Sequence, residues 1–133
     1  VDFTRQPFQN IVESVYRLKS LNDYTQMSRC FELGIVQAYF LDAIIERLST
    51  SYSSKEDFGL AADVAKSLRT IRGVRDINTY TISSLGTVAT RQANAGYKSD
   101  AVKTLDSAIA LAKALGNDGL LQALIETKGE IQL

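Results

Sequence analysis

The chain has 133 residues, 45% of them hydrophobic and 23% charged, a length and balance that suit one soluble globular domain with a core of its own. Fifteen basic residues offset fifteen acidic ones, so no net field draws the chain to nucleic acid or to an anionic membrane. The absence of histidine removes Ser-His-Asp and Cys-His chemistry, His-based zinc sites and the ordinary general base near neutral pH.

Pro7 suits the first turn of a first helix, where its missing N–H costs nothing, and Phe8, Ile11, Val12, Val15 and Leu18 follow at helical spacing. Asn22-Asp23 interrupts that pattern and offers an N-cap for a second, longer helix. In it Met27, Phe31, Gly34, Ala38, Leu41, Ile45 and Leu48 recur every three or four residues, with a kink expected near Gly34. Between Ile35 and Ile45 that helix is apolar on nearly every side, the mark of a central, buried element. Ser49–Ser54 reads as a loop or a fraying helix end, and Ser53 with Glu56 has the capping-box spacing that would start a third helix. Leu60, Ala61, Val64, Ala65, Leu68 and Ile71 form its apolar stripe, with Arg69 and Arg72 in the last turn ahead of Gly73. The cluster Arg69, Arg72 and Arg75, broken by Asp76, reads as pairing with a helix C-terminus in preference to a phosphate or acidic-partner site.

A fourth helix is expected from about Arg75 to Ala95. It is rich in β-branched residues, and Tyr80 and Ile82 alternate as in a strand. Ile82, Leu85, Ala89 and Gln92 nevertheless keep helical spacing, and no second strand exists to pair with, so helix is preferred. Gly96 ends it. The fifth helix is the clearest: Ala101, Leu105, Ala108, Ala112 and Leu115 step by four and three, and Gly116 closes it. Asn117-Asp118-Gly119 reads as a turn, after which Leu120–Leu133 resumes a helical pattern. The predicted fold is therefore all-α, a single domain over 1–133.

Little in this chain suggests chemistry. Cys30 is alone, so it forms neither an intrachain disulfide nor a thiolate metal site, and it reads as a small hydrophobe. The eight glycines are scattered singly, so no phosphate-cradling loop is present. Asp42 and Glu46 lie four apart and share a helix face, where two carboxylates could serve acid/base work or a cation; an exposed helix edge explains them more simply. No catalytic residue, metal or cofactor is expected, and the chain is read as a non-enzyme. The longest apolar run, Gly34–Ile45, is interrupted by Gln37 and Asp42 and is too short to span a bilayer. No targeting segment is visible, which favours the cytoplasm, although the start at Val1 points to an excised or processed chain and leaves a removed signal peptide open.

Gly96, Tyr97, Ala101, Leu105 and Ala108 resemble the tetratricopeptide helical hairpin, with a glycine at the turn and small residues early and late on the second helix. Leu85 and Ala89 match the apolar and small positions of the first helix, while Gln92 stands where that family prefers an aromatic. A period of 40 residues relates Leu85, Ala89 and Gln92 to Ile125, Gly129 and Gln132, and relates Ala61, Ala65 and Leu68 to Ala101, Leu105 and Ala108. It exceeds the roughly 34 of the standard repeat. The resemblance covers Leu41–Leu133, so residues 1–40 read as capping helices and 41–133 as stacked hairpins of a short α-solenoid. A plain antiparallel bundle of five or six helices obeys the same local patterns.

The resemblance implies a protein-interaction scaffold, a monomer or weak homodimer, that binds a peptide or helix in a groove lined by the first helix of each pair. Carried over by position, the groove residues are Glu46, Thr50 and Ser53, then Gly86, Thr90, Ala93 and Asn94, then Glu126 and Glu130. The Lys/Asn set with which some relatives grip a C-terminal carboxylate is missing. Two other readings compete: a regulatory bundle holding a small apolar ligand around Ile35, Tyr39, Phe40 and Ile44, and a carboxylate-based enzyme. The resemblance also implies an open end, because Ile125, Gly129 and Gln132 repeat a first-helix pattern with no second helix after it; there Glu126, Lys128 and Glu130 would supply a polar face and leave Leu124 and Ile131 uncovered.

Overall fold

The computed structural model describes residues 18–133, and the expected first helix around Pro7–Leu18 lies almost wholly outside them. Among the described residues there are six α-helices and no strand, so the fold is all-α. In chain order the helices are α1 Leu21–Ser28, α2 Gly34–Leu48, α3 Lys55–Ser67, α4 Ile77–Asn94, α5 Lys98–Leu115 and α6 Asp118–Gln132. Each packs mainly on the next in sequence; α1 also reaches α3, and α4 also touches α6.

The sequence expected one long helix where α1 and α2 stand. Helix α1 starts earlier, at Leu21, because the Ser20 side chain caps it by accepting from the Asp23 N–H at 3.1 Å. It stops at Ser28, and α2 restarts at Gly34 beside the Arg72 carbonyl, a contact with no room for a side chain. The apolar rhythm through Met27, Phe31 and Gly34 thus belongs to two helices: Phe31 lies in the link, its ring tilted against that of Phe40 of α2 with the centroids 5.6 Å apart. The expected boundary at residue 40 falls inside α2.

Helix α2 is not buried all round. Ala38, Leu41, Ile44, Ile45 and Leu48 face the core, whereas Leu33, Ile35, Val36 and Tyr39 are exposed, Tyr39 by 67%. Of the apolar belt, Ile35 and Tyr39 thus face outward, whereas Phe40 and Ile44 turn toward the core.

Helix α3 begins one residue later than the proposed capping box. Ser53 is already engaged, its Oγ accepting from the Thr50 N–H at 2.9 Å, so Ser54 becomes the N-cap and accepts from the Asp57 N–H at 3.1 Å. At its other end the α-helix gives way at Leu68–Thr70 to a 3₁₀ turn, and Ile71 is extended, so Arg72 lies beyond the helix it was expected to close. Gly73 adopts φ 78°, a conformation that disfavours any residue with a Cβ.

Helix α4 is a helix despite its β-branched content. The hydroxyls of Thr81, Thr87 and Thr90 return to carbonyls four residues earlier, at 2.8, 3.1 and 3.0 Å, which satisfies them locally. Gly96 at φ 95° then reverses the chain, and Gly116 at φ 69° ends α5. The Asn117-Asp118-Gly119 turn is the start of α6 instead: Asn117 is its N-cap and accepts from the Leu120 N–H at 3.1 Å.

The α4–α5 hairpin is the most extensively packed pair. Leu85, Val88 and Ala89 of α4 and Ala101, Leu105 and Ala108 of α5 are all buried. Within this apolar layer Thr104 Oγ1 donates to Gln92 Oε1 at 2.6 Å, which explains why a glutamine stands at the position where an aromatic was expected. With alanines at two contacts the backbones have no slack, so Ala101→Leu should cost about 1–3 kcal/mol of stability by overpacking. Urea unfolding measures it, and a parental midpoint would rule out a close crossing.

Candidate functional site

Helices α2, α4 and α6 border a shallow groove. One depression, of about 380 Å³, lies between the C-terminal end of α2 and the last turn of α4, lined by Glu46, Ser49, Thr50, Arg91 and Asn94 among others. A second, of about 540 Å³, runs between α4 and α6 and is lined by Gly86, Thr87, Thr90, Asn94, Leu124 and Thr127 among others. Arg91 and Asn94 border both, so the two form one continuous surface. Small residues open it: a Cβ at Gly86 would come to 3.6 Å from the Leu124 side chain, ordinary contact distance.

At the centre, Arg91 reaches back from α4 to α2. Its guanidinium donates to Ser49 Oγ at 3.0 Å and to Glu46 Oε1 at 3.1 Å, with Glu46 Oε2 at 3.0 Å from the other terminal nitrogen. Ser49 Oγ in turn donates to the Ile45 carbonyl at 2.6 Å, which fixes the hydroxyl that meets the arginine. This partly exposed, fork-like ion pair ties two helices together and neutralises the carboxylate at the groove floor. Thr50 and Ser53 join their hydroxyls at 3.0 Å at the end of α2. Asn94 differs from these neighbours: among the described residues its carboxamide has no hydrogen-bond partner.

The structure therefore brings together Glu46, Thr50, Thr90 and Asn94. Glu126 and Glu130 are exposed on α6 but do not border either depression, where α6 contributes Leu124 and Thr127. Thr127 Oγ1 donates to the Ala123 carbonyl at 2.9 Å. Arg91 was absent from the expected set, since nothing local in the sequence marks a pair spanning 45 residues.

The two carboxylates of α2 meet different side chains of α4. Glu46 pairs with Arg91, while Asp42 lies beside Tyr80. Burial first, and then the neighbouring Asp42 carboxylate, raise the Tyr80 pKa well above its ordinary value, so Tyr80 stays neutral at any physiological pH. Burial likewise raises the pKa of Tyr24, whose hydroxyl donates to the Leu18 carbonyl at 2.7 Å. Among the described residues no group of three His, Cys, Asp or Glu side chains converges to hold a metal ion, and no helix is long and apolar enough to cross a membrane.

Comparisons with family models, with curated proteins and with solved structures gave no match to this chain.

Proposed function

We propose that the chain is a tetratricopeptide-like interaction scaffold: a short solenoid that binds an extended segment of a partner protein along the α2–α4–α6 groove. The observation that carries this reading is the Asn94 carboxamide, without a hydrogen-bond partner among the described residues, at the junction of the two depressions. A carboxamide offers one acceptor and two donors, the complement of a peptide backbone's own N–H and C=O. The surrounding surface is small and hydroxylated, so a backbone can approach closely, and Leu124 at its edge gives an apolar side chain a place to rest. In this reading α2, α4 and α6 are the first helices of stacked hairpins, and α3 and α5, which pack on α2 and α4, are the second.

The test is selection of peptides from a random library on the 133-residue chain, followed by affinity measurement on variants. Two hydrogen bonds lost from a groove are worth about 1–3 kcal/mol, so Asn94→Ala should weaken selected peptides by roughly fivefold or more. The helical circular dichroism and melting temperature should stay unchanged. Selected peptides that bind equally well to Asn94→Ala would sink the groove reading.

A further inference from the structure

The chain contains its own template for what covers α6. On α4, Leu85, Ala89 and Gln92 are 1%, 0% and 2% exposed because α5 lies on them. Forty residues later, at the same intervals, α6 carries Ile125, Gly129 and Gln132. There Ile125 is 44% exposed, Gly129 and Gln132 are exposed, and a Cβ built at Gly129 meets nothing within 4 Å. Leu133, 98% exposed, stands beside this stripe. The side of α6 that faces the core is different: Leu124 is buried and Ile131 packs against the core, the reverse of the exposure expected for them from the sequence. So the same set of positions is closed on α4 and bare on α6.

Glycine is among the least favourable residues inside a helix, and at Gly129 no group among the described residues uses the space it leaves. Its counterpart Ala89 sits where α5 crosses close. A second helix crossing at Gly129 gives that glycine the same use.

Charge decides which helix fits. Lys128 is already committed to Asp106 on α5 at 2.8 Å. The exposed charges beside the stripe are Glu126 and Glu130, and neither has an ion-pair partner among the described residues. Two copies of this chain crossing at Gly129 would set those carboxylates against their own counterparts, which opposes self-association. We propose that the outer face of α6 is a docking surface for an amphipathic helix of a partner protein that presents a small-residue stripe like that of α5 flanked by lysine or arginine. This surface lies apart from the Asn94 junction, so the inference does not depend on the groove reading.

The probes are two labelled synthetic peptides with the sequence of Lys98–Leu115. One carries Asp100→Lys and Asp106→Lys; the other carries Lys103→Glu and Lys113→Glu. Fluorescence anisotropy with the intact chain should show the basic peptide binding at least about tenfold more tightly. Gly129→Ala, which restores the residue type found at Ala89, should retain binding. Gly129→Leu should abolish it, and because that side chain meets open space the variant stays folded, as circular dichroism will check. The double variant Glu126→Lys/Glu130→Lys should invert the preference for charge, and Asn94→Ala should leave it untouched. Equal binding of the two peptides, binding of neither, or indifference to Gly129→Leu would overturn the proposal. So would a concentration-dependent dimer that Gly129→Leu dissolves, since the face would then belong to a second copy.

Discussion

Replacing Gly34 with alanine should destabilise the protein by about 3 kcal/mol, the upper end for overpacking. The reason is space and not conformational freedom, because an added Cβ would collide with the backbone carbonyl of Arg72, with the Val74 side chain close behind. A carbonyl fixed in the link between α3 and α4 cannot swing aside as a long side chain would. Alanine's better helix propensity, about 1 kcal/mol at an interior position, counts for less at the first residue of α2 and does not reverse the sign. Gly59 is the internal control: it lies within α3, a Cβ there meets nothing, and Gly59→Ala should stabilise by about 0.5–1 kcal/mol. Urea unfolding of the two variants should shift the midpoint in opposite directions. If Gly34→Ala unfolds at the parental midpoint, the close approach of α2 to the α3–α4 link is wrong.

The largest single loss is expected at Phe58. Its side chain is fully buried in α3, and its ring meets the edge of Tyr97 at 5.8 Å, across the turn that joins α4 to α5. It thus fastens one hairpin to the next. Phe58→Ala should cost about 3–5 kcal/mol through lost burial and the cavity left behind. Phe58→Leu, which keeps most of the volume, should cost less than about 1.5 kcal/mol. The contrast separates packing from any special role of the ring contact, and thermal melting followed by circular dichroism reads it. A leucine variant as damaged as the alanine variant would show that the ring contact, not volume, holds the two hairpins together.

The sequence was most legible where the periodic signal was local. The stripes of α3 and α5 follow directly from residues three and four apart, and Gly96 and Gly116 mark turns because only a positive φ closes them there. It was least legible where a distant contact overrode a local rhythm. Met27, Phe31 and Gly34 keep perfect helical spacing, yet the chain leaves the helix between them, since Gly34 answers to Arg72 and not to its neighbours. Competition misled the reading at Ser53, whose hydroxyl is claimed by Thr50, and at Asn117, where a turn residue and a helix cap look alike in sequence. In the groove, Thr90 and Asn94 could be placed by position along α4, whereas Arg91 became visible only once α2 lay beside it. Phe58 escaped notice because it precedes the stripe of α3 and makes its ring contact outside its own hairpin.

The pattern of packing also bears on how the chain is made. The helices pack mainly on their neighbours in sequence, and even the Arg91–Glu46 link, which joins two hairpins, closes over 45 residues. Contacts this near in sequence carry a low entropic cost of loop closure and favour rapid folding. During synthesis, α2 and α3 can settle on each other while α5 is still inside the ribosome, and α4 then lands on a surface already formed. Among the described residues, no early helix has to wait, apolar side exposed, for α6 to be added.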